Sequence, residues 1–285
     1  MIEERVVVQK PLSTKIKTKS FNIFKVVFIV LILLVTYMPI IVMALTSFST
    51  DPFGYRFNGF TSAWYTKLVT NEDLKESIIF TLEITFLSTI ISTIFGTFSA
   101  IGINALSRKA KSRFIVFNNV PILNADIVTA AFLLIIFQVT SIIFGQNIIA
   151  NYGFVTTLIA HVLFSTPYVI LSVLPKLNKD NSLFDAAIDL GCSPRMAMFK
   201  VILPNVKSGI ISGMLLAFTM SIDDFIITYF VSSKDNFSTW IYSNLKTLKN
   251  GQWNQACAYN TLLMLVTFTL IISYQLISNR KKENK

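Results

Sequence analysis

Long uncharged, mostly apolar stretches alternate with short polar and basic segments along this chain. They occupy residues 26–50, 84–107, 127–175 and 250–279, and a further one at 210–233 is interrupted only by an acidic pair. A helix that crosses an apolar layer of about 30 Å needs about 20 such residues. The stretch 127–175 is long enough for two helices and has polar residues near its middle. The pattern therefore predicts six transmembrane helices.

The basic residues are distributed unevenly around these predicted helices. Of the 25 Lys and Arg residues, 19 lie before the first helix and after the second, fourth and sixth. Because positively charged segments stay on the cytoplasmic side, both chain ends are predicted to be cytoplasmic. The first apolar stretch is longer than the core of a signal peptide, so it is expected to remain as a membrane helix.

The composition narrows the class of protein. Hydrophobic residues make up 53% of the chain and charged residues 14%, about half the share usual in soluble domains. This balance excludes a disordered chain, a disulfide scaffold and an ordinary soluble enzyme, and favours an all-α integral membrane protein. Cys192 and Cys257 have no metal-ligand spacing, and no metal site or cofactor is expected. The chain has no GxxxxGK[ST] phosphate loop, so any ATP must be bound by another chain.

The most informative segment, residues 181–204, follows the fourth predicted helix on the cytoplasmic side. Gly191 suits the left-handed residue that ends a short helix. Ser193 and Pro194 suit the cap and first position of a second helix. Apolar residues share one face of each helix at helical spacing, namely Leu183, Ala186, Ala187 and Leu190, then Met196, Phe199 and Ile202. Such a segment either packs on its own helix ends or docks a soluble partner.

This segment resembles the EAA loop of type I ABC importer permeases. Asp185-Ala186-Ala187, three residues, Gly191, nine residues and Val201-Ile202-Leu203-Pro204 follow the pattern EAA-x3-G-x9-I-x-LP, with Asp for Glu and Val for Ile. The resemblance implies a six-helix, MetI-like fold whose loop enters a cleft of the ATPase and couples nucleotide use to the membrane helices. The residues implied in ATPase coupling are Asp185, Ala186, Ala187, Gly191, Leu203 and Pro204.

Three further segments are similar to spermidine/putrescine permeases. They are Gly59-Phe-Thr-x2-Trp64-Tyr65, Asp126-Ile-Val and Ser221-Ile-Asp223-Asp224. The resemblance implies a polyamine importer subunit that pairs with a homologous permease as a heterodimer, with two ATPase subunits and an external binding protein, and with no nucleic acid. Residues 1–20 and 280–285 would be cytoplasmic segments around a permease domain at 21–279. Permeases for iron(III) and other small solutes share this scaffold and remain an alternative.

Acidic residues inside a bilayer are costly and usually functional, and polyamines are polycations. Counted from Phe114 along one helix, Asp126 is expected about 18 Å deep, near the middle of the membrane. Asp223 and Asp224 are expected roughly 28–30 Å along the fifth helix, toward the outer side. Neighbouring helical residues point about 100° apart, so at most one of the pair is expected to face a pathway. Asp126, Asp223 and Asp224 are predicted to lie on the substrate path. A structural role for Asp126 is an equal alternative, and a helix-end or interface role is the alternative for the pair.

Aromatic residues near the outer side could bind amines through cation–π contacts or form an interfacial belt. They are Trp64, Tyr65, Tyr229 and Trp240, of which Trp64 and Tyr229 are predicted to line the substrate path. His161 is expected to be a buried hydrogen-bonding residue, and Asn118, Asn119 and Gln138 to make helix–helix contacts. A self-contained channel or secondary transporter is a further alternative, although it leaves the 181–204 segment without a purpose.

Overall fold

The computed structural model describes residues 12–51, 56–151, 153–177, 181–245 and 251–283. Within these ranges the chain is helical and has no β-strand, only an isolated antiparallel bridge between Ser49 and Phe60. The helices are α1 (Leu12–Thr46), α2 (Ala63–Thr70), α3 (Glu72–Ala105), α4 (Arg108–Leu123), α5 (Asp126–Phe144), α6 (Ile148–Asn151), α7 (Gly153–Leu177), α8 (Asn181–Asp189), α9 (Pro194–Ala197), α10 (Leu203–Asn205), α11 (Lys207–Ile222), α12 (Ile226–Val231), α13 (Phe237–Leu245) and α14 (Gln252–Glu283), with a π-helical turn at Met198–Ile202.

Five of the described helices are long and apolar enough to cross a membrane. They include Phe24–Thr46 of α1, all of α3, α5 and α7, and Gln252–Ser273 of α14. Pro194–Asn205 and Lys207–Ile222 meet at 67°, and this bent pair brings the number of spans to six if it is counted as one. The predicted all-α membrane architecture is confirmed.

The centre of the molecule is formed by α3, α7 and α11, which approach one another at glycines. A Cβ atom on Gly96 of α3 would lie 2.6 Å from the Cβ of Val169 on α7. A Cβ atom on Gly213 of α11 would lie 3.1 Å from the Cα of the same valine. Without a hydrophobic driving force between helices in lipid, such close backbone approach supplies much of the packing energy. The part of this core next to the 181–204 segment contains Ala100, Ile103, Val169, Ile170, Val173, Leu174, Leu177, Ile202, Val206 and Ala217.

Substituting Gly96 by Ala should lower the melting temperature of the purified protein, because the added methyl group overlaps Val169. Overpacking of this kind costs about 1–3 kcal/mol. Gly102→Ala is the matched control on the same helix, since its Cβ would meet nothing within 4 Å. Circular dichroism melts in detergent compare the two variants. Equal melting temperatures would contradict the close approach of α3 to α7.

Two spans that were expected to be continuous are interrupted. The third was expected to run from Phe114 through Asp126, but α4 ends at Leu123 and α5 begins at Asp126. Asn124 and Ala125 between them are extended, with ψ angles of 149° and 140°. The expected depth of Asp126, counted along one helix, is therefore wrong. In the fifth span, Asp223, Asp224 and Phe225 separate α11 from α12; we call these three residues the acidic break.

The N-terminal ends of α3 and α14 lie on the side predicted to face outward and are covered by the short helices α2 and α13. Their shared core, which we call the outer core, consists of Trp64, Leu68, Leu74, Phe237, Trp240, Ala256, Ala258 and Tyr259. By contrast, every side chain of α1 from Phe24 to Pro39 is exposed within this single chain. The helical core thus excludes most of α1, while the acidic break contacts α7 through Asp224 and His161 and α13 through Phe225 and Tyr242.

Candidate coupling loop and substrate site

The first half of the 181–204 segment is α8, and it ends as the sequence predicts. The Gly191 N–H donates to the Ile188 carbonyl at 2.8 Å, and the Cys192 N–H donates to the Ala187 carbonyl at 3.0 Å. Gly191 has a φ of 87°. These two bonds and the left-handed residue form a Schellman motif, which satisfies carbonyls that the helix end leaves unpaired. A residue with a Cβ would be strained there.

The second half turns back toward the membrane. The Ser193 hydroxyl accepts a hydrogen bond from the Met196 N–H at 3.3 Å, with Pro194 at the start of α9. The helical path continues through the π-helical turn and α10, then bends by 67° into α11. Leu203 and Pro204 lie just before this bend, so the loop continues directly into the fifth span.

The two helices of the loop leave an apolar surface uncovered. Leu190 is 86% exposed and Phe199 60%, and Leu183 and Met196 are also exposed. We call these four residues the docking face. Ala187, expected on the same face, is buried with Ala197 and Ile202 and belongs to the inner side of the loop. Asp185 and Ala186 are exposed next to the docking face.

The two acids of the acidic break have different environments. Asp223 is exposed, and its carboxylate makes no hydrogen bond or ion pair with the described residues. The side chain of Asp224 is only 7% exposed. It accepts hydrogen bonds from the N–H groups of Ile227 and Thr228, at 3.2 and 2.8 Å, and so caps the start of α12.

His161 on α7 is the partner of the buried Asp224. Its side chain is 1% exposed, and its Nε2 atom lies 3.4 Å from the Asp224 carboxylate and 3.1 Å from the Thr228 hydroxyl. Its Nδ1 atom lies 2.7 Å from the Ser221 hydroxyl, which in turn lies 2.9 Å from the Ser88 hydroxyl of α3. The expectation of a buried, hydrogen-bonded histidine agrees with this geometry.

Phe225, the last residue of the acidic break, contacts two tyrosine rings. The Phe225 ring centroid is 5.5 Å from that of Tyr229 and 5.2 Å from that of Tyr242, and the two tyrosine centroids are 5.7 Å apart. Tyr229 is 52% exposed and Tyr242 40%. We call these three residues the ring cluster. Phe225 lies two residues after Asp223 and contacts the two more exposed tyrosine rings, and this grouping of an acid with aromatic rings is a suitable environment for an organic cation.

The remaining predicted site residues lie elsewhere. Asp126 is exposed at the first residue of α5, where the helix dipole favours a negative charge. Trp64 is 7% exposed, and its indole N–H donates to the Ser49 carbonyl at 2.7 Å. Trp240 is buried in the same outer core, and the Tyr65 hydroxyl lies 2.8 Å from the Ser47 hydroxyl. Of the predicted substrate-path residues, only Asp223, Asp224 and Tyr229 lie close together in the fold.

Two residues of this region carried no clear sequence signal. Tyr242 joins the ring cluster because α13 turns back toward α12. The Asn236 amide donates to the Asp224 carbonyl at 2.6 Å, and its side-chain oxygen accepts from the Thr239 N–H at 2.8 Å. Both residues fall in a segment whose pattern predicts only a loop between spans. Their roles depend on contacts between separate helices.

Possible metal ligands are scattered in the described part of the chain. No three His, Cys, Asp or Glu side chains there are grouped closely enough to hold an ion. Cys192 and the buried Cys257 are both free thiols. The chemistry available at the acidic break is therefore that of carboxylates, hydroxyls and aromatic rings.

Comparisons with known proteins agree with this architecture. Residues 92–283 match the family described as "Binding-protein-dependent transport system inner membrane component". The chain is 32% identical over 247 residues to the spermidine/putrescine transport system permease protein PotC of Haemophilus influenzae, covering 86% of this chain and 92% of that protein. It is 31% identical over 198 residues to the putrescine transport system permease protein PotI of Escherichia coli, covering 69% and 70%.

A solved structure shares the fold. The crystal structure of a bacterial ABC transporter involved in the import of the acidic polysaccharide alginate aligns with a TM-score of 0.69 at 13% identity, covering 95% of this chain and 99% of that one. Fold and family together define a multi-pass membrane subunit of a transport system. The chain belongs to the family of binding-protein-dependent inner-membrane transport components.

Proposed function

We propose that this chain is a permease subunit of an ATP-driven importer of polyamines such as spermidine and putrescine. The observation that carries the proposal is the exposed carboxylate of Asp223, which has no partner among the described residues and lies two residues before Phe225 of the ring cluster. Relatives named for spermidine and putrescine transport support the same substrate class. Asp223 and Tyr229 contact the substrate, while Asp224 holds the acidic break in place.

The chemistry of the acidic break suits an ammonium group. A carboxylate forms a charge-assisted hydrogen bond with an amine, and aromatic faces attract the same cation without requiring a fixed direction. The tetramethylene segments of a polyamine can lie along the apolar parts of the rings. Asp126, exposed at the start of α5, is a second acid along the path, whereas the buried Trp64 supports the outer core around it.

The proposal includes the partners that such a subunit needs. A homologous permease completes the pathway as a heterodimer in the cell membrane, and an external binding protein delivers the polyamine. Two ATPase subunits bind ATP, because this chain has no phosphate loop of its own, and the chain itself is not catalytic. The docking face, with Asp185, Ala186 and the Schellman motif at Gly191, is the contact with one ATPase. Leu203 and Pro204 transmit its movement into α11.

The test is uptake of radiolabelled spermidine into vesicles that contain the complete importer. We expect saturable uptake that requires ATP on the cytoplasmic side and the binding protein on the other side. Unlabelled putrescine should compete, and Fe(III) citrate should not. Importer complexes that assemble and hydrolyse ATP but take up no polyamine would disprove the substrate class and leave the family intact. Vesicles without the ATPase subunits are the matched control.

A further inference from the structure

The acidic break has lost the backbone hydrogen bonds that a continuous helix would provide, so its shape depends on side chains. Asp224 caps α12, and the Asn236 amide holds the Asp224 carbonyl. The Thr156 hydroxyl of α7 donates to the Val231 carbonyl at the other end of α12 at 2.8 Å. These contacts fix α12, but among the described residues only one side chain connects the break to both α7 and α11.

That side chain is His161. Through Asp224 and Thr228 it reaches α12, and through Ser221 it reaches the last turn of α11. Ser221 extends the connection to Ser88 of α3. One imidazole ring on α7 therefore links three other helices around the residues that precede and follow Asp223.

Every side chain of this network has a hydrogen-bond partner. The Thr228 hydroxyl donates to the Asp224 carboxylate at 2.8 Å, so its oxygen accepts from His161 Nε2–H. If Nε2 alone carries a proton, Nδ1 accepts from the Ser221 hydroxyl and Ser221 accepts from Ser88. If both ring nitrogens are protonated, Nδ1 donates to Ser221, Ser221 donates to Ser88, and Ser88 donates to the Thr85 carbonyl at 3.2 Å. Every donor of the network has an acceptor in both cases. A fully satisfied buried network fixes a single geometry, whereas a partly satisfied one does not.

We propose that His161 is a positioning residue for substrate binding, which holds the acidic break in the geometry that exposes Asp223 beside the ring cluster. The proposal deepens the proposed function, on which its role in transport rests. His161 does not contact substrate, because its side chain is 1% exposed. It acts on Asp223, the proposed substrate contact, through Asp224, which follows Asp223 in the sequence, and through Ser221, which lies two residues before it. The coupling loop leads directly into α11. A movement of that helix would therefore reach the proposed substrate site through the same network.

The first test measures the position of Asp223 without any substrate. The assembled complex carries Asp223→Cys in a background in which Cys192 and Cys257 are replaced by Ser. The rate at which the new cysteine reacts with a small maleimide reports the exposure of position 223. Mass spectrometry of the peptide that contains position 223 measures this rate. His161→Leu keeps much of the volume and removes both ring nitrogens, and should change this rate at least about fivefold. His161→Gln retains a donor toward Asp224 and should stay within about twofold. Equal rates in all three proteins would overturn the proposal.

The second test measures transport per assembled complex. His161→Leu should raise the KM for spermidine at least about tenfold with a smaller change in the maximal rate, and His161→Gln should restore most of the affinity. A purely structural role would lower the amount of complex and leave the KM unchanged, which would also overturn the proposal. If His161→Leu does not assemble, Thr228→Val removes the bridging hydroxyl at nearly constant volume, and we expect the same direction of change in both tests. Absence of spermidine uptake by the unsubstituted complex would count against the proposed function, while the cysteine reaction still decides the role of His161.

Discussion

Replacing Leu190 by Glu should abolish ATP-driven uptake while the permease remains folded in the membrane. Leu190 is 86% exposed and contributes almost nothing to the packing of this chain, so a charge there does not disturb the fold. In the proposed contact with the ATPase, a carboxylate at this position is buried without a partner and loses its hydration. The cost of about 2 kcal/mol or more lowers uptake and ATPase binding at least about thirtyfold. Vesicle uptake and copurification of the ATPase measure the two effects.

Leu190→Met is the matched control, since it keeps an apolar side chain of similar size at the same position and should retain uptake. Phe199→Glu changes a second residue of the docking face and should have the same effect as Leu190→Glu. Normal uptake and normal ATPase copurification with Leu190→Glu would show that the exposed face is not the contact with the ATPase. The coupling role would then have to lie elsewhere on the cytoplasmic side.

The features that sequence predicted well are those whose cause is local. The Schellman end at Gly191 and the cap at Ser193 depend on the backbone freedom of one glycine and on one hydroxyl near a helix start. The spans follow from the length of uncharged stretches, which the thickness of the bilayer limits. None of these features requires knowledge of what another helix contributes.

The helix breaks and the burial of single residues could not be obtained in this way. An uncharged stretch does not report whether its helix is continuous, so the extended residues Asn124 and Ala125 gave no signal. Asp223 and Asp224 are adjacent and identical in type. Their different exposure depends on His161 of α7, which is distant in sequence. Trp64 was predicted on the substrate path, and its burial depends on Ser49 and on the outer core.

The coupling loop and the acidic break are at opposite ends of one helix. The loop enters α11 through a 67° bend, and α11 spans about 24 Å before it ends at the acidic break. The far end of α11 is tied to α7 and α3 through Ser221. We therefore expect a movement at the docking face to pass through this bend and along α11 to the proposed substrate residues.

Asp223→Asn should raise the KM for spermidine about tenfold to a hundredfold and change the maximal rate less. The substitution keeps the size and removes the charge, and hydrogen bonds to charged groups contribute about 1.5–3 kcal/mol. Because the Asp223 carboxylate has no partner among the described residues, its loss leaves no buried group unpaired, and the complex should assemble normally. Initial uptake rates over a range of spermidine concentrations, per assembled complex, provide the measurement.

Asp235→Asn is the matched control, since it removes the same charge from an exposed position in the adjacent outer loop. If Asp223 acted only through the general negative potential of the outer surface, both variants would weaken uptake alike, and added salt would reduce the difference from the unsubstituted protein. Direct contact instead predicts that Asp223→Asn alone raises the KM and that the increase persists at high salt. An unchanged KM in Asp223→Asn would remove the carboxylate from the substrate site and leave the ring cluster to bind the amine.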